Sequence, residues 1–208
     1  MKSEQLIQNL SRNLQAVKPF KYTIKDYMIV LSVSFFSVLF GLAVSGIRAD
    51  LQNVALAPAF VIQSTVLLLL AVLSTVAAMQ ISIPSLKKPV SQNIIIGTLV
   101  FWAATLIYLL FNSNSPFAGW GFSCAAEILA NSLAPTVVIF YMIRKAATLN
   151  RFSAGWLTLT AGAAFGAIAT QFSCSSMDAF HVLVWHALPV VVIGLFGIVI
   201  GKKILKEV

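Results

Sequence analysis

The chain has few charged residues, and acidic ones are the scarcest. Charged residues make up 10% of its 208 residues, and only 6 residues are Asp or Glu. A soluble domain usually has about 25% charged and about 45–50% apolar residues, whereas 59% of this chain is apolar. This balance excludes an ordinary water-facing surface and indicates a chain that is solvated by a lipid bilayer.

Several familiar motifs are missing as well. The two cysteines, Cys124 and Cys174, are far apart, so there is no C-x-x-C of the thioredoxin or zinc-ribbon kind. With Gly 11 and Pro 7, the chain is neither collagen-like nor of low complexity. The first apolar run begins near residue 27, and at about 20 residues it is too long for the core of a signal peptide. We therefore expect no cleavable signal.

Six continuous apolar runs account for most of the chain, each close to the ~20 residues that a membrane-spanning helix needs. They cover residues 27–47, 58–80, 94–111, 124–143, 154–172 and 182–201. Continuous rather than alternating apolarity argues against strands. The sequence predicts an all-α integral membrane protein: a cytoplasmic N-terminal segment, residues 1–26, then a six-transmembrane-helix bundle with a short tail, residues 27–208. Because the connections are short, we expect consecutive helices to be antiparallel neighbours.

Basic residues are confined to one side of this predicted bundle. Of the 14 Lys and Arg residues, only Arg48 falls on the other side. The positive-inside rule places the basic side, and with it the N-terminus and the C-terminus, in the cytoplasm. The net charge of +8 is thereby explained by topology. Direct nucleic-acid binding is not needed to account for it.

The chemically reactive side chains gather on the opposite, outer side. The densest cluster runs from Cys174 through Asp178 and His181 to His186. On a helix, Cys174 and Asp178 would share a face, and so would Asp178 and His181. Thiolate and imidazole are zinc-type ligands, which makes Cys124, Cys174 and His181 candidate metal ligands. The spacing matches no standard metal motif, however, and a short outer loop also collects polar residues simply because it is wet.

The two cysteines occupy equivalent positions in a predicted helical hairpin. Cys124 precedes the centre of the 144–153 loop by nearly the same number of residues as Cys174 follows it. In an antiparallel pair, both thiols would lie at the same depth at the outer mouth. A disulfide would require Cα atoms about 4.4–6.8 Å apart and thiols that face each other. The alternative is two unrelated cysteines in an apolar chain.

Glu127 is an ionisable residue inside the fourth predicted span, about one turn from its outer end. Such groups usually face the protein interior and pair with another polar group, and His186 lies at a similar depth. We therefore consider an intramembrane polar pair of Glu127 and His186. The alternative is that Glu127 reaches interfacial water. The middle of the bilayer has no titratable side chain, which weighs against the rival interpretation, a small transporter or channel.

The N-terminal segment carries a single apolar stripe. Its members are Leu6, Ile7, Leu10, Leu14 and Val17. Their spacing predicts an amphipathic helix over residues 4–17, with Ser3 as its N-cap and Lys18-Pro19 at its end. Two interpretations are open: the helix docks into the groove of a partner protein, or it lies on the membrane surface.

Six stretches of the sequence carry a family resemblance. They are the opening Leu6-Ile7-x-x-Leu10, Cys124 at the start of the fourth span, Ser132-Leu133-Ala134-Pro135, the basic Arg144-Lys145-Ala146, the run Cys174-x-x-x-Asp178-x-Phe180-His181 leading to Trp185-His186, and a Gly-rich basic end. Together they resemble the NrsF family of bacterial inner-membrane anti-sigma factors. The Cys-to-His run is the most specific. The chain departs from the family in having Ala134 for a usual proline and in lacking a frequent C-terminal tryptophan.

The resemblance implies a protein that is not an enzyme and has no cofactor. It implies that the N-terminal helix holds an extracytoplasmic-function sigma factor at the membrane and releases it under stress. It also implies that Cys124 and Cys174 sense oxidants or thiol-binding metals, with Asp178, His181 and His186 near enough to tune Cys174 or complete a site.

Two other rival functions are less well supported. A membrane thiol oxidoreductase would usually have a close reactive pair such as C-x-x-C, which this chain lacks. A membrane hydrolase that used Asp and His with a metal would need a deeper and denser cluster than the one between Asp178 and His186.

Overall fold

The computed structural model describes residue 7 and residues 20–83, 90–112, 120–146 and 148–205, and these are entirely helical or connecting segments. Six long helices follow one another: α1 Ile24–Ser45, α2 Pro58–Ile81, α3 Gln92–Asn112, α4 Phe122–Ile143, α5 Arg151–Ser173 and α6 Ala179–Ile204. At 1.5 Å rise per residue, helices of this length reach across a hydrocarbon core of about 30 Å. The predicted all-α fold with six spans is confirmed, and the chain is a multi-pass membrane protein.

The outer helices expose large apolar side chains instead of hiding them. Phe36 and Phe40 on α1, and Phe101 on α3, are more than half exposed. A water-soluble protein rarely exposes such continuous apolar surface, whereas lipid tails solvate it at no cost. These two spans therefore lack the polar exposed face that a surface helix of a soluble protein has.

Helix α5 lies at the centre of the bundle, and most of its residues are buried. It packs against α1, α2, α4 and α6. Its sequence is rich in alanine and glycine, and small residues allow helix backbones to approach closely in a membrane. The prediction that consecutive helices are neighbours holds for α2–α3, α4–α5 and α5–α6 but is wrong for α1–α2 and α3–α4. Helix α1 packs on α4 and α5 rather than on α2, and α3 packs on α2 and α6 rather than on α4.

The physical reason is that α5, with its small side chains, attracts four partners, while the connections are long enough to let the other helices reach their places. The segment between α1 and α2 includes a single helical turn, Leu51–Val54. Such a segment spans the ~10 Å width of one helix easily. Short loops therefore did not force α1 and α2 together.

A close approach of α5 and α6 gives a stability prediction. A Cβ placed on Gly155 would overlap the carbonyl oxygen of Gly197, and backbone atoms cannot move aside as a flexible side chain can. We expect Gly155→Val to destabilise the bundle by about 1–3 kcal/mol or more, because overpacking separates the two helices. The matched control is Gly97→Val on α3, where an added Cβ meets no atom within 4 Å. The midpoint temperature of thermal unfolding in detergent should fall for Gly155→Val only.

Candidate functional site

The two cysteines meet at one end of the bundle, which we call the cysteine end. Cys124 lies in the first turn of α4, and Cys174 directly follows α5. Their Sγ atoms are 3.6 Å apart, and both thiols are free. The prediction of equal depth, made from the symmetry of the α4–α5 hairpin, is confirmed by this distance.

Two histidines from the start of α6 complete the cluster. His181 Nε2 lies 3.6 Å from Cys124 Sγ and 3.5 Å from Cys174 Sγ. The ring of His186 is 5.5 Å from that of His181, centroid to centroid. One ligand atom from each of the four residues can be chosen so that all lie within 4.8 Å of one another. We call these four residues the Cys/His cluster; His186 is only 1% exposed and His181 only 6%.

Helix α6 brings both histidines to the same place through an unusual turn. In an α-helix, residues five apart such as His181 and His186 point about 140° away from each other. Here residues Leu183–Ala187 form a π-helical turn, in which the Leu188 N–H donates to the Leu183 carbonyl five residues back. The wider turn rotates His186 towards His181. Pro189, just beyond it, has no N–H to continue an ordinary α-helical ladder. Such π-turns are frequent at functional sites.

Asp178 has a structural role that the sequence did not show. Its Oδ2 accepts a hydrogen bond of 2.9 Å from the His181 backbone N–H, which makes it the N-cap of α6. The carboxylate therefore fixes where α6 begins and places His181 in the first turn. It is not a member of the Cys/His cluster. The expected helical face shared by Cys174 and Asp178 is wrong, because residues 174–178 are not helical.

Gly121 closes the site from the α4 side. A Cβ at this position would overlap the rings of His181 and Trp185. The absence of a side chain lets the backbone before α4 lie against both rings, and Trp120 lies 6.4 Å from Trp185 between ring centroids. The cluster is thus covered by backbone and by aromatic rings.

Arg48 is a functional candidate that sequence reasoning missed. Its Nη2 donates to the Ser175 carbonyl at 2.9 Å, and its backbone N–H donates to the Phe172 carbonyl at 3.0 Å. Its Nε also pairs with Asp50 Oδ1 at 2.7 Å, and this hydrogen-bonded ion pair lowers the pKa of Asp50. The signal was present in the sequence: Arg48 is the one basic residue that the distribution of charges places on the predicted outer side. Its guanidinium is buried because it holds the segment that carries Cys174.

The hydrogen bonds of Arg48 to Ser175 and Asp50, which we call the Arg48 clamp, give a second prediction. Replacing Arg48 with methionine removes the hydrogen bonds to Ser175 and Asp50, and hydrogen bonds of charged groups contribute about 1.5–3 kcal/mol each. We expect the segment after α5 to open more often, so that alkylation of Cys174 by a membrane-impermeant maleimide accelerates about tenfold or more. Arg144→Met at the opposite end is the control. Equal alkylation rates in Arg48→Met and the parent protein would show that the clamp does not restrain Cys174.

Glu127 pairs with a different residue from the one expected. Its Oε1 accepts a hydrogen bond of 2.8 Å from Ser173 Oγ, at the last residue of α5. Neither ring nitrogen of His186 has a hydrogen-bond partner among the described residues. The predicted polar pair of Glu127 and His186 is therefore wrong. Glu127 and His186 lie at a similar depth, but depth alone does not bring two side chains together. The rotation of α4 about its axis turns Glu127 towards α5 and not towards α6.

The two thiols of the cluster are not equivalent. The Cys124 thiol donates towards Cys174 Sγ, and this hydrogen bond lowers the pKa of Cys174. The neighbouring imidazole of His186 acts in the same direction, against the effect of burial. A thiolate is the form that attacks oxidants and binds metals. The hydrogen bond from Cys124 therefore favours the thiolate form at Cys174.

The apolar stripe of the N-terminal segment falls mostly outside the described residues. Leu6, Leu10, Leu14 and Val17 are in that position, so the helix over residues 4–17 stays a prediction. Ile7 alone is described, and it is helical and exposed.

Fold and site together define a class: a multi-pass membrane protein with a cluster of two thiols and two imidazoles, all buried except the half-buried Cys174, at one end of a six-helix bundle. Comparison with known protein families narrows this class. The family model described as negative regulator of sigma F, NrsF, matches residues 10–206. The chain belongs to this family, and the resemblance seen in the sequence is confirmed. No curated protein and no solved structure matches the chain.

Proposed function

We propose that this protein is a membrane-bound anti-sigma factor that sequesters an extracytoplasmic-function sigma factor and releases it under oxidant or metal stress. Family membership across residues 10–206 supports the negative regulation of a sigma factor. The observation that carries the proposed trigger is the pair of free sulfur atoms 3.6 Å apart. Two thiols at this separation respond together, by forming a disulfide or by sharing a thiophilic metal.

The proposed orientation places the cysteine end outside the bacterial inner membrane and both chain ends in the cytoplasm. Arg144, Lys145, Lys202 and Lys203 all lie at the end opposite to the cysteines, as the positive-inside rule requires of a cytoplasmic face. In the compartment on the outer side of the bacterial inner membrane, disulfides form and persist. A trigger on this side would meet external oxidants and metals before they enter the cell.

The proposed contact with the sigma factor is the N-terminal helix. Tyr22, just before α1, supports its position: the Tyr22 hydroxyl hydrogen-bonds with Ser82 Oγ at 2.9 Å and donates to the Met142 carbonyl at 3.1 Å. Burial raises the pKa of Tyr22 to about 12, so the hydroxyl keeps its proton at physiological pH. These bonds anchor the segment that precedes α1 to the ends of α2 and α4. The N-terminal helix would therefore emerge at the proposed cytoplasmic face.

Helix α1 is the proposed link between trigger and partner. Arg48, beyond its outer end, holds the segment that carries Cys174, and Ser37 in its middle donates to the Asn131 carbonyl of α4 at 3.1 Å. Its other end leads into the N-terminal segment. A rearrangement at the thiols would move the Ser175 carbonyl, to which Arg48 is bound. The displacement would then pass along a single helix to the sigma-binding segment.

The rival interpretation as a transporter or channel finds less support in the packing. Helix α5 fills the centre of the bundle, and Gly162 and Gly166 there lie directly against the backbone of α4. A transport pathway needs polar or ionisable groups around a cavity at mid-membrane. Close backbone packing at the bundle centre instead favours a rigid sensor and tether.

The deciding experiment is co-purification. The tagged protein is expressed with the sigma factor encoded beside it and extracted in detergent, with and without residues 1–20. We expect the sigma factor to be recovered with the full chain and lost with the truncated one. A membrane-extracted full chain that recovers no sigma factor would refute sequestration. Equal recovery with the truncated chain would move the binding surface away from the N-terminal helix.

A further inference from the structure

The distances among Cys124, Cys174 and His181 match those between ligands around a tetrahedral zinc ion, and His186 lies close enough to be the fourth ligand. With Zn–S of about 2.3 Å and Zn–N of about 2.0–2.1 Å, tetrahedral geometry sets S···S at about 3.8 Å and S···N at about 3.6 Å. The observed values are 3.6 Å for the two sulfurs and 3.6 and 3.5 Å from them to His181 Nε2. Three edges of a coordination tetrahedron are therefore in place. His186 supplies a fourth ligand atom within 4.8 Å of the other three.

A second, independent observation points to a ligand. Both ring nitrogens of His186 are buried and lack a hydrogen-bond partner in the described part of the chain. Leaving buried polar atoms unpaired costs about 1–3 kcal/mol each, so native structures seldom tolerate it. A bound cation gives one of these nitrogens its partner. The imidazole is too deeply buried to obtain that partner from bulk water.

The donor set also selects the kind of cation. The described carboxylates at the cysteine end are all engaged elsewhere: Asp50 with Arg48, Glu127 with Ser173 and Asp178 as the cap of α6. Magnesium and calcium, which need oxygen ligands, are thereby disfavoured. Two sulfurs and two nitrogens in a tetrahedron are typical of zinc and of ions that resemble it.

The charge balance favours the same conclusion. In the complex both sulfurs are thiolates, with any remaining thiol proton lost to solvent, and the two thiolates neutralise a divalent cation held by two neutral imidazoles. A neutral complex avoids the cost of burying a net charge among apolar side chains. Binding of one ion should therefore release about one to two protons.

We propose that Cys124, Cys174, His181 and His186 form a closed four-ligand site for a thiophilic, tetrahedral divalent cation, Zn²⁺ or Cd²⁺. With four protein ligands, the site has no open position for a substrate, which suits a structural or sensing role and not catalysis. The ion would tie together the start of α4, the segment after α5 and the first turns of α6. Its role as the signal rests on the proposed function, whereas its binding does not.

The test uses the full-length protein in detergent, reduced and freed of metal under anaerobic conditions. Cobalt(II) serves as the spectroscopic probe, because tetrahedral cobalt with thiolate ligands has intense visible bands that six-coordinate cobalt lacks. We expect these bands to saturate at one equivalent and to vanish when Zn²⁺ displaces cobalt. About one to two protons should be released per ion. One equivalent of Zn²⁺ should also protect both thiols of the unmodified chain from alkylation.

Four variants then identify the ligands. Cys124→Ser, Cys174→Ser, His181→Gln and His186→Gln should each lose the tetrahedral bands or bind at least about 100-fold more weakly. Glu127→Gln, at the same end but outside the cluster, should bind as the parent does. Size-exclusion profiles and helical circular dichroism establish that each variant is folded, and the protection of the unmodified chain does not depend on any variant.

Two results would overturn the proposal. One is the absence of tetrahedral cobalt bands and of thiol protection in the unmodified chain. The other is unchanged binding in His186→Gln, which would reduce the site to fewer ligands. Because no sigma factor is present in these measurements, either failure would leave the proposed sequestration standing. Conversely, if the protein binds zinc but no sigma factor co-purifies with it, the metal site stands and the proposed sequestration is refuted.

Discussion

Replacing either Cys124 or Cys174 with serine should abolish the induction of sigma-dependent transcription by oxidants and by thiophilic metals, while sequestration in unstressed cells persists. The two sulfurs are 3.6 Å apart, so a disulfide or a shared metal needs both of them. Serine occupies nearly the same volume but is a poor ligand for soft metals and forms no disulfide. A transcriptional reporter of the sigma factor should therefore stay near its uninduced level in both variants under stress.

The control for this expectation is Ser175→Ala, because Ser175 is adjacent to Cys174 and contributes its backbone carbonyl, not its side chain, to the Arg48 clamp. The double cysteine variant should be no worse than either single variant, since residues that act as one unit are not additive. Normal induction in both single variants would rule out the thiol pair as the trigger.

Replacing Leu10 or Leu14 with aspartate should release the sigma factor without any stress. Both leucines belong to the predicted apolar stripe of the N-terminal helix. Burying one leucine side chain contributes roughly 1.5–3 kcal/mol, and a charge in its place adds a desolvation cost. We expect affinity for the sigma factor to fall by about ten- to a hundredfold, and the reporter to be active constitutively.

Gln8→Asp provides the matched control, because it introduces the same charge on the polar face of the same predicted helix. It should leave the reporter silent. If Leu10→Asp and Leu14→Asp also leave it silent but weaken attachment of the N-terminal segment to vesicles, the helix lies on the membrane surface instead of in a partner's groove.

The sequence by itself determined the six spans, because each one depends on the composition of about 20 consecutive residues and on nothing else. It likewise indicated the equal depth of Cys124 and Cys174, since depth in an antiparallel hairpin follows from counting residues on either side of a loop. The expected sidedness of the chain comes from the same kind of information, the distribution of its Lys and Arg residues. All of these properties are one-dimensional.

Only the tertiary structure decided which groups meet at the cysteine end. His186 joins the cluster through a π-helical turn, and Glu127 turns to Ser173 instead of to His186. Both outcomes depend on the rotation of a helix about its axis, which hydropathy does not encode. Likewise, the buried guanidinium of Arg48 reaches across to Ser175 because α1 packs against α5, a contact between helices that are far apart in sequence. The depth of a side chain in the membrane could be predicted from the sequence, because depth is set by the number of residues along a helix. The contact partners of a side chain could not be predicted, because they depend on how the other helices pack around the small residues of α5.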